Sequence, residues 1–571
     1  MELNHESLAV IPLGGQSEIG QVLWALICGG EILVIDAGAA YPSEELPGVD
    51  LLLPNTNFLE ANHDRIVGLL LTNANEEHCG AVSYLLHHLK IPKILGPRFV
   101  SAFLAQCAID RNETGFECPA VDTIELRRPY KVGMFEVEWV QVNDAVADAC
   151  ALKIKTPQGV VVYTSSFKLD QTPVDHKSMD IGALAQLGDE GAILLISDSA
   201  GVEFPGYTPS EIAVKPRLSE IIADASGRVI VVLPGTNTHR LQILFDIASG
   251  LNRKVALLGE TLIRTAVSAA ITGNLVYDRK IESAVADIEK IQDNRVLIIA
   301  SGLEGDPMQV LNELALERHP EFTVKAGDTV VYSAEVYPGR SRQMAFVLDQ
   351  FLSMGVKTIF GSRQKVHVSK HASQEELKLM LSLVMPRFFV PALGEGRHIM
   401  HHAQLAQEWG MPEDTIFPLK NGDILELNNG NASKVGTIEA QAIYFNREQG
   451  ERVTTYSVNE RRNLSLDGIV TIGLVVTKAG ELISGPTIEV NASGFLRSPE
   501  WEVAKIELIN NILDAIQRFA PGSTSPKQQR ASYELPALRA AVRDVAAKTL
   551  RSKLQSRPNV QVIIHELLPA L

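Results

Sequence analysis

Between residues 228 and 360 short apolar runs alternate with helical stretches. Arg228 to Leu233 leads into a helix through Ile247, and Lys254 to Leu258 into one from Thr261 to Ile271. Arg295 to Ala300 runs into the turn Gly302-Leu303-Glu304-Gly305-Asp306-Pro307 and a further helix. Thr329 to Ser333, a helix through Met354, and Thr358 to Phe360 complete the series. Such repetition with short joints points to a parallel sheet with right-handed crossovers. No other stretch restricts the fold so tightly, and this one covers only the middle of the chain.

The first third has another grammar. Leu8 to Gly15, Val22 to Ile27, Ile32 to Asp36, Arg65 to Thr72, Phe135 to Val142, Ala151 to Lys155 and Val160 to Thr164 are short apolar or alternating runs with few helices between them. Gly29-Gly30 is a hairpin signal. The pattern suggests a β-sandwich flanked by helices. Phe388 to Pro391 and Asp423 to Leu427 look like the same fold resuming, which makes the middle region an insertion. Asn428 to Ser433 reads as a loop and Arg452 to Arg462 as a polar linker. A small α/β module follows: strand Gly468 to Val476, helix Glu502 to Phe519, a loop Pro521 to Gln529, helix Pro536 to Leu554 and strand Val560 to His565.

At 571 residues the chain is too long for one core, and its net charge of −16 disfavours a general polyanion binder. No apolar run approaches the roughly 18 residues of a membrane span. The start lacks the pattern of a signal peptide. Five unevenly spaced cysteines (Cys28, Cys79, Cys107, Cys118, Cys150) suit reduced thiols and a cytoplasmic location, without membrane attachment.

Leu69 to Ala81, LLLTNANEEHCGA, carries the chemistry. A strand feeds a loop and then a helical pattern at Val82, Leu85, Leu86 and Leu89. The setting suits a metal site, yet asparagines stand at 73 and 75. Asn75 reads as a helix N-cap with Glu76 and Glu77 in the first turn, and His78 as a polar residue beside it. Asn73, Asn75, Glu77 and Asp144 offer an alternative, an oxygen-rich site for Mg²⁺ or Ca²⁺. Cys79 reads as a small buried residue.

Many segments, in order, resemble ribonuclease J, a family of the β-CASP branch of the metallo-β-lactamase fold. They include Ile11 to Gly15, Ile35 to Gly38, Ser197 to Ser199, Pro205 to Glu211, Ala326 to Val330, His367 to Ala372, Gly394 to His398 and Asp467 to Val470. The resemblance implies an α/β protein: a metallo-β-lactamase αββα sandwich (1–210 and 366–440), an inserted β-CASP α/β domain (211–365), a linker (441–461) and a small C-terminal α/β assembly domain (462–571). In that family two zinc ions activate a water that attacks an RNA phosphodiester. The ligands come from an H-x-H-x-D-H loop, a later His, an Asp in G-D-F-K and a His in an H-G-E turn.

Here the corresponding positions are Asn73, Asn75, Glu77, His78, Asp144, Ser166 and Leu393. Only His78 keeps its identity. Neutral amides and a serine hydroxyl are weak zinc donors and leucine is none, so a degenerate-site paralogue is expected, with no intact catalytic residues and no zinc or other cofactor. The rival expectation is an active ribonuclease J, cutting RNA through an altered metal site.

His367-Val368-Ser369-Lys370-His371 matches the family's phosphate-holding H-x-S-G-H with lysine for glycine, and Thr236-Asn237-Thr238 matches a substrate-contacting turn. Glu260 and Glu304 stand where the family carries arginine and glutamine. The expected partners are RNA and either further copies of the chain or an active ribonuclease J. The implied role is a structural, regulatory or RNA-binding subunit in RNA processing or decay.

Overall fold

The computed structural model describes residues 7–42, 46–110, 120–302, 305–336, 338–446, 450–478, 480–491, 499–519, 534–555 and 557–567. Glu304, Leu303, Cys118 and the loop 521–529 lie outside them. The chain forms two compact units, Met1–Ser43 with Leu51–Ile443 and Glu44–Asp50 with Tyr444–Leu571.

The larger unit contains a two-sheet sandwich. One sheet has eight strands in the order Asn431–Thr437, Asp423–Asn428, Leu8–Gly14, Leu23–Cys28, Glu31–Ile35, Ile66–Leu70, Ile94–Gly96, Asp122–Thr123. The other has six, in the order Phe388–Ala392, Ala192–Asp198, Gly159–Tyr163, Cys150–Thr156, Phe135–Gln141, Tyr130–Val132. Their inner faces supply one core that includes Trp24, Leu26, Trp139, Leu152 and Tyr163. Trp139 Nε1–H also donates to the Leu71 carbonyl at 2.9 Å. That bond satisfies a buried donor and ties the six-stranded sheet to the strand end that leads into the 73–78 loop. Both sheets combine strands from before and after the middle region, as expected of a fold that is interrupted and resumed.

The middle region is a five-stranded sheet, Lys254–Leu258, Val296–Ala300, Val229–Val232, Thr329–Tyr332, Lys357–Ile359, parallel throughout. The first strand in sequence, Val229–Val232, sits at its centre. The connection from Val296–Ala300 to Thr329–Tyr332 crosses over it. The carboxyl ends of these three strands therefore open a crevice at a topological switch point, the usual ligand position in such sheets.

The smaller unit has a three-stranded sheet, Leu482–Asn491, Ile469–Thr477, Asn559–Leu567. Val470, Ile472, Leu474 and Val476 of the central strand pack with Leu508 and Ile512 of the helix Pro499–Gln517 and with Leu538, Val542 and Leu550 of the helix Leu535–Leu554.

Two local expectations need correction, and one strand stands where none was expected. The polar stretch 452–462 is not bare linker: it carries part of the strand Glu451–Val453 and most of the helix Thr455–Asp467. Thr454 caps that helix, its hydroxyl accepting from Ser457 N–H at 3.1 Å. Asn428 to Ser433 is a hairpin, in which Asn429 and Gly430, at φ 50° and 73°, turn one edge strand into the next. Leu482–Asn491 is a strand that the sequence reading did not anticipate. The Gly29-Gly30 hairpin forms as read, with both residues at positive φ.

Candidate functional site

The site is built where strand ends of the sandwich meet the carboxyl ends of the parallel sheet. Ile66–Leu70 delivers Thr72 to His78, and the helix Glu76–Cys79 is only one turn long. The loop's position is fixed by main chain. Val22 N–H donates to Glu77 O (3.1 Å), Ala39 N–H to Glu76 O (2.8 Å), Ala37 N–H to His78 O (2.8 Å) and Ala81 N–H to Ala37 O (2.8 Å). A Cβ at Gly38 would lie 1.5 Å from the Glu77 carbonyl, so only glycine allows this approach.

His78 is fully buried in that one-turn helix. Its Nδ1 donates to Asp36 Oδ2 at 2.7 Å. Asp36, itself buried at φ 55°, also accepts from the Thr72 backbone N–H (2.9 Å) and hydroxyl and from the Tyr163 hydroxyl (3.1 Å). On the far side Ser166 Oγ lies 3.1 Å from His78 Nε2 and donates to Asp144 Oδ2 at 2.7 Å. The Ser166 hydroxyl thus bridges the His78 ring and the Asp144 carboxylate.

Asp144 Oδ1 accepts from Asn75 Nδ2 at 2.9 Å and from Val146 N–H at 3.1 Å. Asn75 is the N-cap residue by position, but its side chain makes no capping bond and is spent on Asp144. Asn73 Oδ1 accepts from Asn75 N–H (2.9 Å) and its Nδ2 donates to Ser165 Oγ (3.0 Å). Leu393 is buried in the sandwich core at φ 54°.

Six of the seven positions read from the sequence thus join one hydrogen-bonded neighbourhood or its rim, and Leu393 belongs to the sandwich core. Among the described residues no three His, Cys, Asp or Glu side chains stand together as a metal-holding group.

The opposite wall carries charge. Glu211 is fully buried, with Arg240 Nη2 at 2.5 Å from Oε1 and Lys168 Nζ at 3.6 Å from Oε2. Burial works against its charge, but Arg240 and Lys168 win and hold its carboxyl at about 2. Arg240 Nη1–H donates to Ser333 O (2.7 Å) and to His367 Nδ1 (2.9 Å). A guanidinium has no acceptor, so Nδ1 accepts and the neutral ring keeps its proton on Nε2. Burial, then the Arg240 charge, pushes His367 down to about 3. Its Nε2 finds no partner among the described residues.

The remaining phosphate-motif residues are half-buried or buried. Lys370 Nζ meets Glu77 Oε2 at 2.8 Å, and His371 Nδ1 donates to Asp198 Oδ2 at 2.7 Å. Burial opposes the charge of both partners in the first pair. Lys370 nonetheless holds Glu77 down at about 2, while the carboxylates of Glu77, Asp144 and Glu76 hold Lys370 above its ordinary range. Ser369 contributes its carbonyl to Lys168 (3.2 Å) and its hydroxyl to His371 N–H (3.2 Å).

Thr236 Oγ1 donates to Glu76 Oε2 at 2.9 Å, with Asn75 Oδ1 at 3.3 Å. Asn237 caps the helix Thr238–Gly250 through Arg240 N–H (2.9 Å), and the Thr238 hydroxyl accepts from Ala147 N–H (2.8 Å). Asn237, His367, Val368 and Lys370 line a pocket of about 80 Å³ at the switch point, together with Asn75, Glu76, Glu77 and Arg340.

Sequence reasoning missed Glu76. Its Oε1 is buried against Gly305 without a described partner, and burial pushes the carboxyl up to about 7. Beside Glu77 it reads as an ordinary acid in a first helical turn. The Glu211–Arg240–Lys168 cluster was equally hidden, since its members lie far apart in sequence. Cys28, Cys79, Cys107 and Cys150 are buried and form no disulfide. Among the described residues no helix is long and apolar enough to cross a membrane.

A two-sheet sandwich, interrupted by a parallel α/β insertion whose strand ends face the 73–78 loop, defines a metallo-β-lactamase fold with a β-CASP domain. The family profile "Ribonuclease J, beta-CASP domain" matches residues 226–351, and "Ribonuclease J C-terminal domain" matches residues 456–567. A Ribonuclease J of Synechocystis is 31% identical over 570 residues, covering 99% of this chain and 87% of the relative. Ribonuclease J2 of Bacillus subtilis is 30% identical over 571 residues, covering 99% of both chains. The chain belongs to the ribonuclease J family. A crystal structure of a protein of unknown function from Enterococcus faecalis V583 covers 74% of this chain and 100% of its own at a TM-score of 0.52 and 16% identity, a likeness of fold alone.

Proposed function

We propose that this chain is a ribonuclease J-family subunit without zinc hydrolysis, acting in RNA processing or decay by holding RNA or a partner rather than by cutting. The observation that carries this reading is the unbroken line Asn75–Asp144–Ser166–His78–Asp36. Each polar atom in it is matched to a neighbour, and a donor set of two amides, a hydroxyl, one imidazole and two carboxylates, with Leu393 in the remaining place, does not fit a dinuclear zinc centre. No zinc or other cofactor is assigned, and no hydrolytic step is derived through one.

RNA is the proposed ligand because the family name given to both relatives is that of a ribonuclease. The C-terminal unit is proposed as an assembly module, joining copies of this chain or an active ribonuclease J, in the cytoplasm. The test is metal content of the purified chain, cleavage of 5′-monophosphorylated RNA, and RNA binding by fluorescence anisotropy. The expected result is zinc well below one ion per chain, no metal-dependent cleavage, and measurable binding that weakens with salt. Stoichiometric zinc with metal-dependent cleavage would establish the active alternative instead. Co-purification from native extract reads the partner.

A further inference from the structure

The helix Leu535–Leu554 of the smaller unit carries the cations Arg539, Arg543, Lys548, Arg551 and Lys553 against a single anion, Asp544. The chain as a whole runs the other way, with 68 acidic residues to 52 basic. All of these cations are exposed, while Leu538, Val542, Ala546 and Leu550 are spent on the core of the unit. Arg539, Arg543 and Arg551 follow one i, i+4 row, with the exposed Ala547 in its remaining place. At about 1.5 Å of rise per residue the row is roughly 18 Å long. Lys553 is taken by Glu507 at 2.8 Å, and Arg543 has Asp544 at 3.7 Å with both side chains more than half exposed. Arg539, Lys548 and Arg551 have no ion-pair partner among the described residues. Helix stability accounts for only part of this charge. Arg551 and Lys553 stand in the last turn, where cations complement the macrodipole. Arg539 and Arg543 lie in the first half and gain nothing from it. Beside the row stands Tyr456, 69% exposed, whose hydroxyl donates to Glu460 Oε1 at 2.9 Å. The Glu460 carboxylate holds the phenol above its ordinary range and the charge of Arg543 pulls against it, so the arginine lies close to the ring.

We infer that the arginine row of the helix Leu535–Leu554, with Tyr456 beside it, is a binding surface for single-stranded RNA on the smaller unit. The inference rests on the reading that the chain holds RNA and says where a second hold lies. A single strand is gripped by cations that follow its backbone and by aromatic rings on which bases stack. This surface has both: unpaired guanidiniums in line for the phosphates, and an exposed phenol ring anchored at its hydroxyl end. Arginine also suits the task because its planar fork meets phosphate oxygens in pairs. An acidic protein surface would match the charge but would leave the ring without a role, and the row has only Ala547 to offer such a partner as an apolar centre. An acidic chain repels polyanions at long range, so a local basic face is what lets this one keep hold of a strand.

The test uses the full chain and a fluorescein-labelled single-stranded RNA, read by fluorescence anisotropy over a series of salt concentrations. The positions are exposed, and folding of each variant is checked by circular dichroism. Arg539→Ala, Arg543→Ala and Arg551→Ala combined should weaken binding about tenfold or more and reduce the slope of log affinity against log salt by about 2. The same three changed to lysine should keep the slope. Tyr456→Leu should weaken binding about fivefold or more with the slope unchanged, and Tyr456→Phe should bind as the unaltered chain does. Ala547→Arg, which fills the gap in the row, should tighten binding and steepen the slope by about 0.7. A folded triple-alanine variant with unchanged affinity and slope overturns the inference and leaves the RNA-holding reading standing. If that variant instead loses a co-purifying acidic protein while binding RNA normally, the row belongs to a protein partner and the inference is equally overturned. Absence of any RNA binding by the unaltered chain overturns the reading itself, and the inference with it.

Discussion

The two walls of the cleft solve the same burial problem in different ways. On the sandwich wall, Asn73, Asn75, Ser165, Ser166, Asp144, His78 and Asp36 form a lattice of short bonds in which most members are neutral and each is held by near neighbours. Facing it, Glu211 and Arg240 of the β-CASP side hold Lys168 of the sandwich, three full charges without solvent contact. A lattice rich in amides and hydroxyls can lose one of those neutral members and relax at moderate cost. A charged lattice cannot, because a buried ion without its partner is far more expensive than a missing hydrogen bond. The comparison explains how the sandwich wall can carry amides, a serine and a leucine without disturbing the frame around it.

The largest effect expected is on the charged wall. Glu211→Gln leaves Arg240 and Lys168 facing each other without an anion and should cost about 3–5 kcal/mol in urea unfolding. A loss under about 1 kcal/mol would break the contrast between the walls. On the sandwich wall, Asn73→Ala removes the acceptor of Asn75 N–H and the donor to Ser165 Oγ and should cost roughly 3 kcal/mol or less. Equal losses in the two variants would show that charge is not what separates the walls.

Glu76 lies between them and has a signature in pH. Its carboxyl is raised from 4.5 to about 7 by burial. The folded form therefore prefers the proton, and the stability it gives is present below about 4.5 and lost as pH rises through about 7. Glu76→Gln, which resembles the protonated acid, should match the unaltered chain at pH 4 and exceed it by on the order of 2 kcal/mol at pH 8. A pH-independent difference would remove Glu76 from its buried position. The smallest effect belongs to Thr236→Val, which deletes the hydroxyl that donates to Glu76 and should cost about 1 kcal/mol, more at pH 8 than at pH 5, read by thermal unfolding.

Much of the fold is visible in the order of residues, because the signals are periodic and local. The five parallel strands follow from apolar runs spaced by helical stretches, and the Gly29-Gly30 hairpin from its turn. The edge strand Leu482–Asn491 escaped for the opposite reason: its residues are half exposed or exposed and it contains Pro486, so its alternation is blunted. The helix Thr455–Asp467 buries only Val458 and so has no apolar stripe to read. At the site, the resemblance to the family singled out seven positions. It could not show what the substituted side chains do for one another, since Asn75 and Asp144, or Lys370 and Glu77, meet only through the folded chain. Glu76 left no trace because its distinction is the Gly305 backbone pressed against it.

The loop from Asn73 to Ala81 is held by four main-chain bonds and by a glycine that tolerates no side chain at position 38. Its location is consequently written in peptide groups, which are the same whatever residues the loop carries. Address and content are stored separately. A laboratory wishing to transplant another set of functional groups into this cleft need design only the side chains: the scaffold will deliver position 75 to position 144, and position 78 to position 166, without being taught to do so.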